Sequence, residues 1–213
     1  VIRPQALPSA LAAVRPMVVE RAGRLIVGLA GPPAAGKSTL ATALAAALND
    51  GGTAAVAVPM DGFHLANAEL NRLGLADRKG APETFDATGY VNLLRRLRAG
   101  EPSTVYAPTF NRQINESIGS AIPVAPDVRV VVTEGNYLLL DTPPWHEVRP
   151  LLDLALYLDA PHSTRHSALV RRQLTRGLSR DAAHAWAGGS DAANAKLIES
   201  TRDRADEILI RGA

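Results

Sequence analysis

Cysteine is absent from all 213 residues. That excludes a disulfide frame, thiolate chemistry and any cysteine-ligated metal, and it suits the reducing cytoplasm, the compartment expected here. Lysine is nearly absent as well, 3 residues against 20 arginines, so each lysine is a marked position. No stretch reaches the roughly 18 consecutive apolar residues of a membrane helix, and no membrane partner is expected. A basic segment followed by an apolar core and a cleavage site is also missing at the start, so no leader is expected. Strong charge of one sign is lacking. The net charge of +2 is mild despite a pI near 9.2. A nucleic-acid binder would need a concentrated basic surface, and no nucleic-acid partner is expected. Internal repeats, low-complexity segments and linkers are missing too, so residues 1–213 read as a single domain.

What remains is an ordinary globular composition, 46% hydrophobic and 21% charged. A chain of this length buries roughly 70% of the surface it exposes when unfolded, enough for a real core. Residues 5–22 read as an amphipathic helix with Ser9 as candidate cap. "RLIVGLA" (24–30), "TAAVAVPM" (53–60), "VRVVVTEG" (128–135) and "LLDLALYLDA" (151–160) read as buried strands, and "DEILIR" (206–211) as a short final one. Between them lie helical patterns at 37–50, 64–74, 87–99, 161–178, 181–187 and 191–203. Several end at glycine, as helices commonly do. "STVYAPTF" and "SAIPVA" flank a polar stretch at 111–119 and read as an antiparallel hairpin arm over about 102–124. Apolar strands alternating with helices predict an α/β fold with a parallel central sheet covered on both faces.

"GPPAAGKST" (31–39) follows a predicted strand and opens a predicted helix. It fits the G-x-x-x-x-G-K-[ST] pattern, a loop whose backbone N–H groups surround phosphate oxygens beside a helix N-terminus. Gly31, Ala34, Ala35, Gly36, Lys37, Ser38 and Thr39 would form this cradle. Lys37 would reach the β and γ phosphates of ATP and Ser38 would ligate Mg²⁺. A glycine-rich turn without a ligand is the bland alternative, and the strand–helix context argues against it. Two strands end in acids: Glu134 closes "VVVTEG", and Asp61 opens "DGFH" after "VAVPM". Ligand crevices in open α/β sheets lie at the carboxyl ends of strands, so both acids are expected beside the phosphate loop, Glu134 near the metal.

Arg165, Arg172 and Arg176 are spaced seven and four apart. On a helix they fall within about 20° of one direction. Val170, Leu174 and Leu178 fall on the opposite side. A solvated basic face over an apolar one explains this, and so does a lid over about 165–190 that brings Arg172 and Arg176 to the transferring phosphate. Gly177 would serve as its hinge. His162, His166 and His184 lack metal-ligand spacing, and no zinc site is expected.

With these motifs in view the chain resembles the P-loop kinases that include uridine kinase, phosphoribulokinase and bacterial type I pantothenate kinase. The resemblance runs from about residue 24 onward. It rests on "GPPAAGKST", "MDGFH", "RKGAPETFD", "VYAPTF", "TEGNYLLL" and "TRDRADEIL". "EGNYLLLD", the downstream Trp145 and "NAKLI" look closest to bacterial fructose transport system kinases. The resemblance implies a three-layer P-loop fold, ATP and Mg²⁺ as cofactors, and Asp61 beside the acceptor hydroxyl as its base. Two departures fall where acceptor or nucleotide contacts are expected: Phe110-Asn111-Arg112 where related chains often have Phe-Asp-Arg, and Ser190-Asp191 where they often have Asn-Asp.

Further acceptor-side candidates are His64, Arg78, Lys79, Glu83, Tyr106 and Arg112. For each a structural reading stands beside the functional one: a backbone-satisfied histidine, solvated loop charges, an aromatic packed in the core. The expected function is transfer of the γ-phosphate of Mg·ATP to a hydroxyl of a small molecule, a sugar such as fructose or a pantothenate-like alcohol. The alternative is a nucleotide-binding switch or ATPase that regulates a partner protein. The sequence leaves a homodimer open.

Overall fold

In the computed structural model the described residues are 6–175, 177, 179–183 and 190–211, with the side chains at 172, 173 and 190–193 outside that set. The chain runs α1 (Leu7–Glu20), β1 (Leu25–Ala30), α2 (Lys37–Asp50), β2 (Ala55–Pro59), α3 (Asn67–Leu73), α4 (Ala87–Ala99), β3 (Val105–Asn111) and β4 (Glu116–Val124). It continues with β5 (Val130–Gly135), β6 (Leu154–Asp159), α5 (His162–Thr175), α6 (Ser190–Glu199) and β7 (Glu207–Ile210). Five strands form one sheet in the order β2-β5-β1-β6-β7, every pairing parallel. β3 and β4 pair antiparallel as a separate two-stranded arm.

Alternation along the central strands builds three layers. Leu25, Val27 and Leu29 of β1, Val130 and Val132 of β5, and Leu156 and Leu158 of β6 pack with α1 and α2 on one face. Ile26 and Ala30, Val131, and Ala155 and Tyr157 face the other way, against α4, Trp145 and Ile198. Strands buried on both faces are mostly apolar, as β1 and β6 up to Asp159 are; β5 is equally buried but carries Thr133 and Glu134 at its carboxyl end.

The expected elements shift at several ends. Ser9 does not cap α1; Ala6 holds that position without a side-chain bond, and Ser9 lies inside the first turn. β2 is an edge strand, half-exposed except at Val58, and its run stops at Pro59, where Met60–Phe63 coil into a 3₁₀ turn. The helix expected from His64 starts at Asn67, because His64 makes a bridge to Phe85. β4 begins at Glu116, well inside the stretch read as a polar loop. Its outer side faces water, so polar residues fit the strand. The expected helix at 181–187 falls largely outside the described residues.

The arginine face also differs. Arg165 is buried; its guanidinium donates to the Ala160 carbonyl and pairs with Glu199 at 2.6 Å, tying α5 to α6. Leu174, expected on the apolar side, is exposed. Gly177 has a φ of +89°, a glycine-favouring conformation. Arg172 lies on α5 with its side chain outside the described set, and Arg176 lies outside the described residues.

Candidate active site

The chain leaves β1 for β2 in one direction along the sheet and later reaches β6 in the other. β1 is therefore the strand at which the order reverses, and the crevice opens at its carboxyl end. Residues 31–36 form a loop there, and α2 begins at Lys37. Gly31 has a φ of +146°, and a Cβ on it would sit 2.5 Å from the Leu158 carbonyl oxygen. Only glycine lets the loop leave this close to β6. Gly36 enters α2 at a φ of +102°, and Ala34 holds the left-handed region at +61°.

The Lys37 side chain is buried under the loop it follows. Its Nζ donates to the Pro32 carbonyl at 3.0 Å and to Asn136 Oδ1 at 2.8 Å. The Ser38 hydroxyl donates to Glu134 Oε1 at 2.7 Å. Strand register explains that meeting. Glu134 pairs with Leu29 of β1 and with Pro59 of β2, so the tips of β1, β5 and β2 lie side by side. Asp61, two residues past Pro59, reaches the same edge.

Beneath the acids a buried hydrogen-bond chain fixes the spacing of the strands. Tyr90 on α4 meets the Thr133 hydroxyl at 2.6 Å, and Thr133 donates to the Val58 carbonyl at 2.8 Å. Burial raises the Tyr90 phenol well above its ordinary value, so it stays a neutral partner.

Burial also pushes the Glu134 carboxyl up, and the charge of Asp61 adds to the shift; Lys37, the Ser38 hydrogen bond and Arg112 oppose it. A carboxylate withdrawn from water and poised on a hydroxyl suits a hard cation, which takes oxygen donors and keeps several waters. Ser38 and Glu134 therefore fit Mg²⁺ as a pair.

Arg112, at the tip of the arm, reaches Asp61 with Nη2 to Oδ2 at 3.6 Å. The resulting cavity of about 420 Å³ is lined by the phosphate-loop residues Ala34, Gly36, Lys37, Ser38 and Thr39 together with Asp61, Arg112, Glu134, Asn136, Ala168 and Arg211.

The other acceptor candidates lie elsewhere. The His64 ring lies tilted against Phe85 at 4.0 Å and Phe110 at 4.7 Å, and its Nδ1 donates to the Asp61 carbonyl at 2.8 Å. It shapes the turn that carries Asp61. Lys79 clamps the arm to α3, donating to Asn67 Oδ1 and to the Asn115 carbonyl with its Nζ 5.2 Å from the Phe110 ring centre. Arg78 and Glu83 pair with each other at 2.6 Å, and Glu83 lines a second cavity bounded by Trp145. Tyr106 is more than half exposed on β3. At Gly62 a Cβ would sit 2.5 Å from the Pro108 carbonyl oxygen, so glycine admits the arm.

Two polar side chains at the cavity, Asn136 and Arg211, carry no assignment from the sequence. Asn136 follows Glu134 by two positions, and a polar side chain just past a strand-end acid was its signal. Arg211 had none, because the contact spans 177 positions of sequence.

A glycine-bounded loop at the switch point of a parallel sheet, with lysine, serine and a strand-end acid converging on it, defines a P-loop α/β protein. Residues 26–213 match the phosphoribulokinase / uridine kinase family. The solved structure of a "putative fructose transport system kinase" from Silicibacter sp. TM1040 superposes with a TM-score of 0.85 at 44% identity, over 93% of this chain and 98% of that one. A "putative uridine kinase" of Schizosaccharomyces pombe is 35% identical over 87% of this chain and 83% of its own length. A pantothenate kinase of Sinorhizobium medicae is 32% identical over 88% of this chain and 65% of its own length. The chain belongs to the phosphoribulokinase / uridine kinase family of P-loop small-molecule kinases. Among the described residues no helix is long and apolar enough to cross a membrane.

Proposed function

We propose that the protein transfers the γ-phosphate of Mg·ATP to a hydroxyl of a small molecule, a sugar such as fructose or a pantothenate-like alcohol. The observation that carries the reading is the position of Asp61. It shares one cavity with the loop lysine and with the Ser38–Glu134 pair, yet it belongs to neither. An acid at the phosphate end apart from the metal pair suits a kinase, which needs one to orient the acceptor and take its proton.

Lys37 and the loop amides hold the β and γ phosphates. Ser38 and Glu134 would hold Mg²⁺, which offsets phosphate charge when bound. Asp61 accepts the hydroxyl proton as the acceptor oxygen bonds to the γ-phosphorus. The bond from that phosphorus to the β–γ bridging oxygen breaks, and ADP leaves with the electron pair. Arg172 and Arg176 are assigned to the lid on their sequence spacing, as cations for the transferring group.

Arg112 favours an acceptor that carries a carboxylate as well as a hydroxyl. An exposed pair at 3.6 Å is weak, so a substrate anion displaces Asp61 from it at little cost. The test is ADP formation with and without a panel of sugars, polyols, nucleosides and pantothenate, pairing each neutral sugar with its acid. Phosphorylated product from one compound supports the reading. ATP hydrolysis indifferent to every acceptor favours the regulatory ATPase.

A further inference from the structure

Arg211 follows β7 and lines the cavity beside the phosphate loop. Its backbone N–H donates to the Asp159 carbonyl at 2.8 Å, which extends the β6–β7 pairing by one step. Side chains two apart on a strand share a face, and Leu209 packs with α2. Arg211 is therefore delivered to the face where α2 begins. Its Nη1 donates to the carbonyls of Ala35 at 3.1 Å and Ala34 at 3.3 Å, and Nη1 would lie 3.1 Å from a Cβ on Gly36. Among the described residues its guanidinium meets no carboxylate, and the side chain lines the cavity.

These carbonyls belong to the stretch that must present its N–H groups to phosphate. In a planar trans peptide the C=O and N–H point in opposite directions. Holding the Ala35 carbonyl turns the Gly36 N–H away from the guanidinium. Holding the Ala34 carbonyl fixes the residue that stands at a φ of +61° without being glycine. A strained residue of this kind persists only where its surroundings enforce it, and Arg211 is a charged group bonded to it.

We propose that Arg211 is a nucleotide-positioning residue, a brace on the outer side of the phosphate loop that keeps the loop in its receptive shape before ATP arrives. The inference rests on the kinase reading only in taking the loop to bind a nucleotide. A brace present before and after transfer strengthens ATP and ADP binding alike. It does little for the transition state beyond that.

The experiment is calorimetric titration of MgATP and MgADP into the full chain, first as wild type, then as Arg211→Met and Arg211→Lys, with a thermal melt of each ligand-free protein. Wild type that fails to bind either nucleotide overturns the kinase reading itself and is thereby distinguished. With wild type binding, Arg211→Met is expected to weaken both nucleotides by about tenfold or more, the loss of charge-assisted hydrogen bonds. Its loss in steady-state assay should fall on KM for ATP rather than on kcat. Arg211→Lys keeps the charge without the fork and should fall between. Equal binding by Arg211→Met and wild type overturns the proposal, and so does a fall in kcat with KM unchanged.

If Arg211→Met does not fold, Arg211→Lys carries the same comparison. A second variant tests the strain directly. Glycine accepts a positive φ freely, so adding Ala34→Gly to the arginine variant should restore part of the lost affinity. A double variant no tighter than Arg211→Met alone overturns the bracing of Ala34.

Discussion

The Ser38 hydroxyl and the Glu134 carboxylate, 96 positions apart in sequence, meet at 2.7 Å where the phosphate loop joins α2. One side chain comes from a helix start and the other from a strand end, so neither can move without the sheet. If both hold the same Mg²⁺, they act as one unit, and their losses should not add. Ser38→Ala and Glu134→Gln are each expected to slow transfer by about 100-fold, by analogy with loss of a preorganised charge-stabilising group. The double variant should be little worse than the more severe single one. Initial rates across a Mg²⁺ series measure this, and fully additive losses would separate the two roles.

Asp61→Asn should keep ATP affinity within a few-fold and lose about 10²–10⁴ in transfer, the usual worth of a placed base. Lys37→Ala should lose nucleotide affinity along with rate, because its charge meets the phosphates already in the ground state. Calorimetry and product formation on the two variants give the contrast. Asp61→Asn that loses ATP binding in step with activity would be a metal ligand.

His64 predicts a pH dependence of stability. Burial between aromatic rings lowers its pKa below the ordinary 6.5; Lys79 and Arg112 push the same way, while Asp61, by charge and by its backbone carbonyl, opposes. The unfolded chain therefore binds a proton at a pH where the folded chain does not. The stability is fully present above about 6.5 and is lost as pH falls through the lower folded value, at no more than about 1.4 kcal/mol per pH unit. Urea melts between about pH 7.5 and about pH 5 should show wild type losing more than His64→Gln. Parallel slopes would clear His64 of the effect.

Gly62→Ala should loosen the arm. The added Cβ would lie 2.5 Å from a backbone oxygen, which cannot swing aside as a side chain would. Proteolysis should cut the 112–115 turn faster in the variant, and acceptor KM should rise more than KM for ATP. An unchanged digestion pattern would mean that β3 shifts without cost.

The phosphate loop, Glu134 and the apolar strands were legible because each is written in contiguous residues: a motif, a strand-end acid, a run of valines. What the sequence hid depends on register and distance. β2 looked buried because its alanines and valines are apolar, yet only sheet order makes it an edge strand. Glu116 and Ser117 looked like loop because polarity does not distinguish a turn from the wet side of a hairpin. Arg165 looked like part of a solvated face because its partner Glu199 is remote in sequence. Lys79 and Glu83 looked like acceptor contacts; the structure engages Lys79 in clamping the arm to α3 and pairs Glu83 with Arg78 of its own loop.

The arm is a sheet of its own, joined to the core through Val105, Ala107 and Val124 in the main apolar cluster, backbone approach at Gly62, the Lys79 clamp, the Ser117 hydroxyl on the His64 carbonyl, and the Glu116 carboxylate on the Asn67 N–H. None of these joints involves the phosphate loop. The molecule is thus divided like a tool with a fixed handle and an exchangeable bit. Grafting the 112–115 turn from a relative with another acceptor, while keeping Glu116 and Ser117 for the joints at Asn67 and His64, is the natural route to redirecting which alcohol is phosphorylated without rebuilding the machinery that delivers the phosphate.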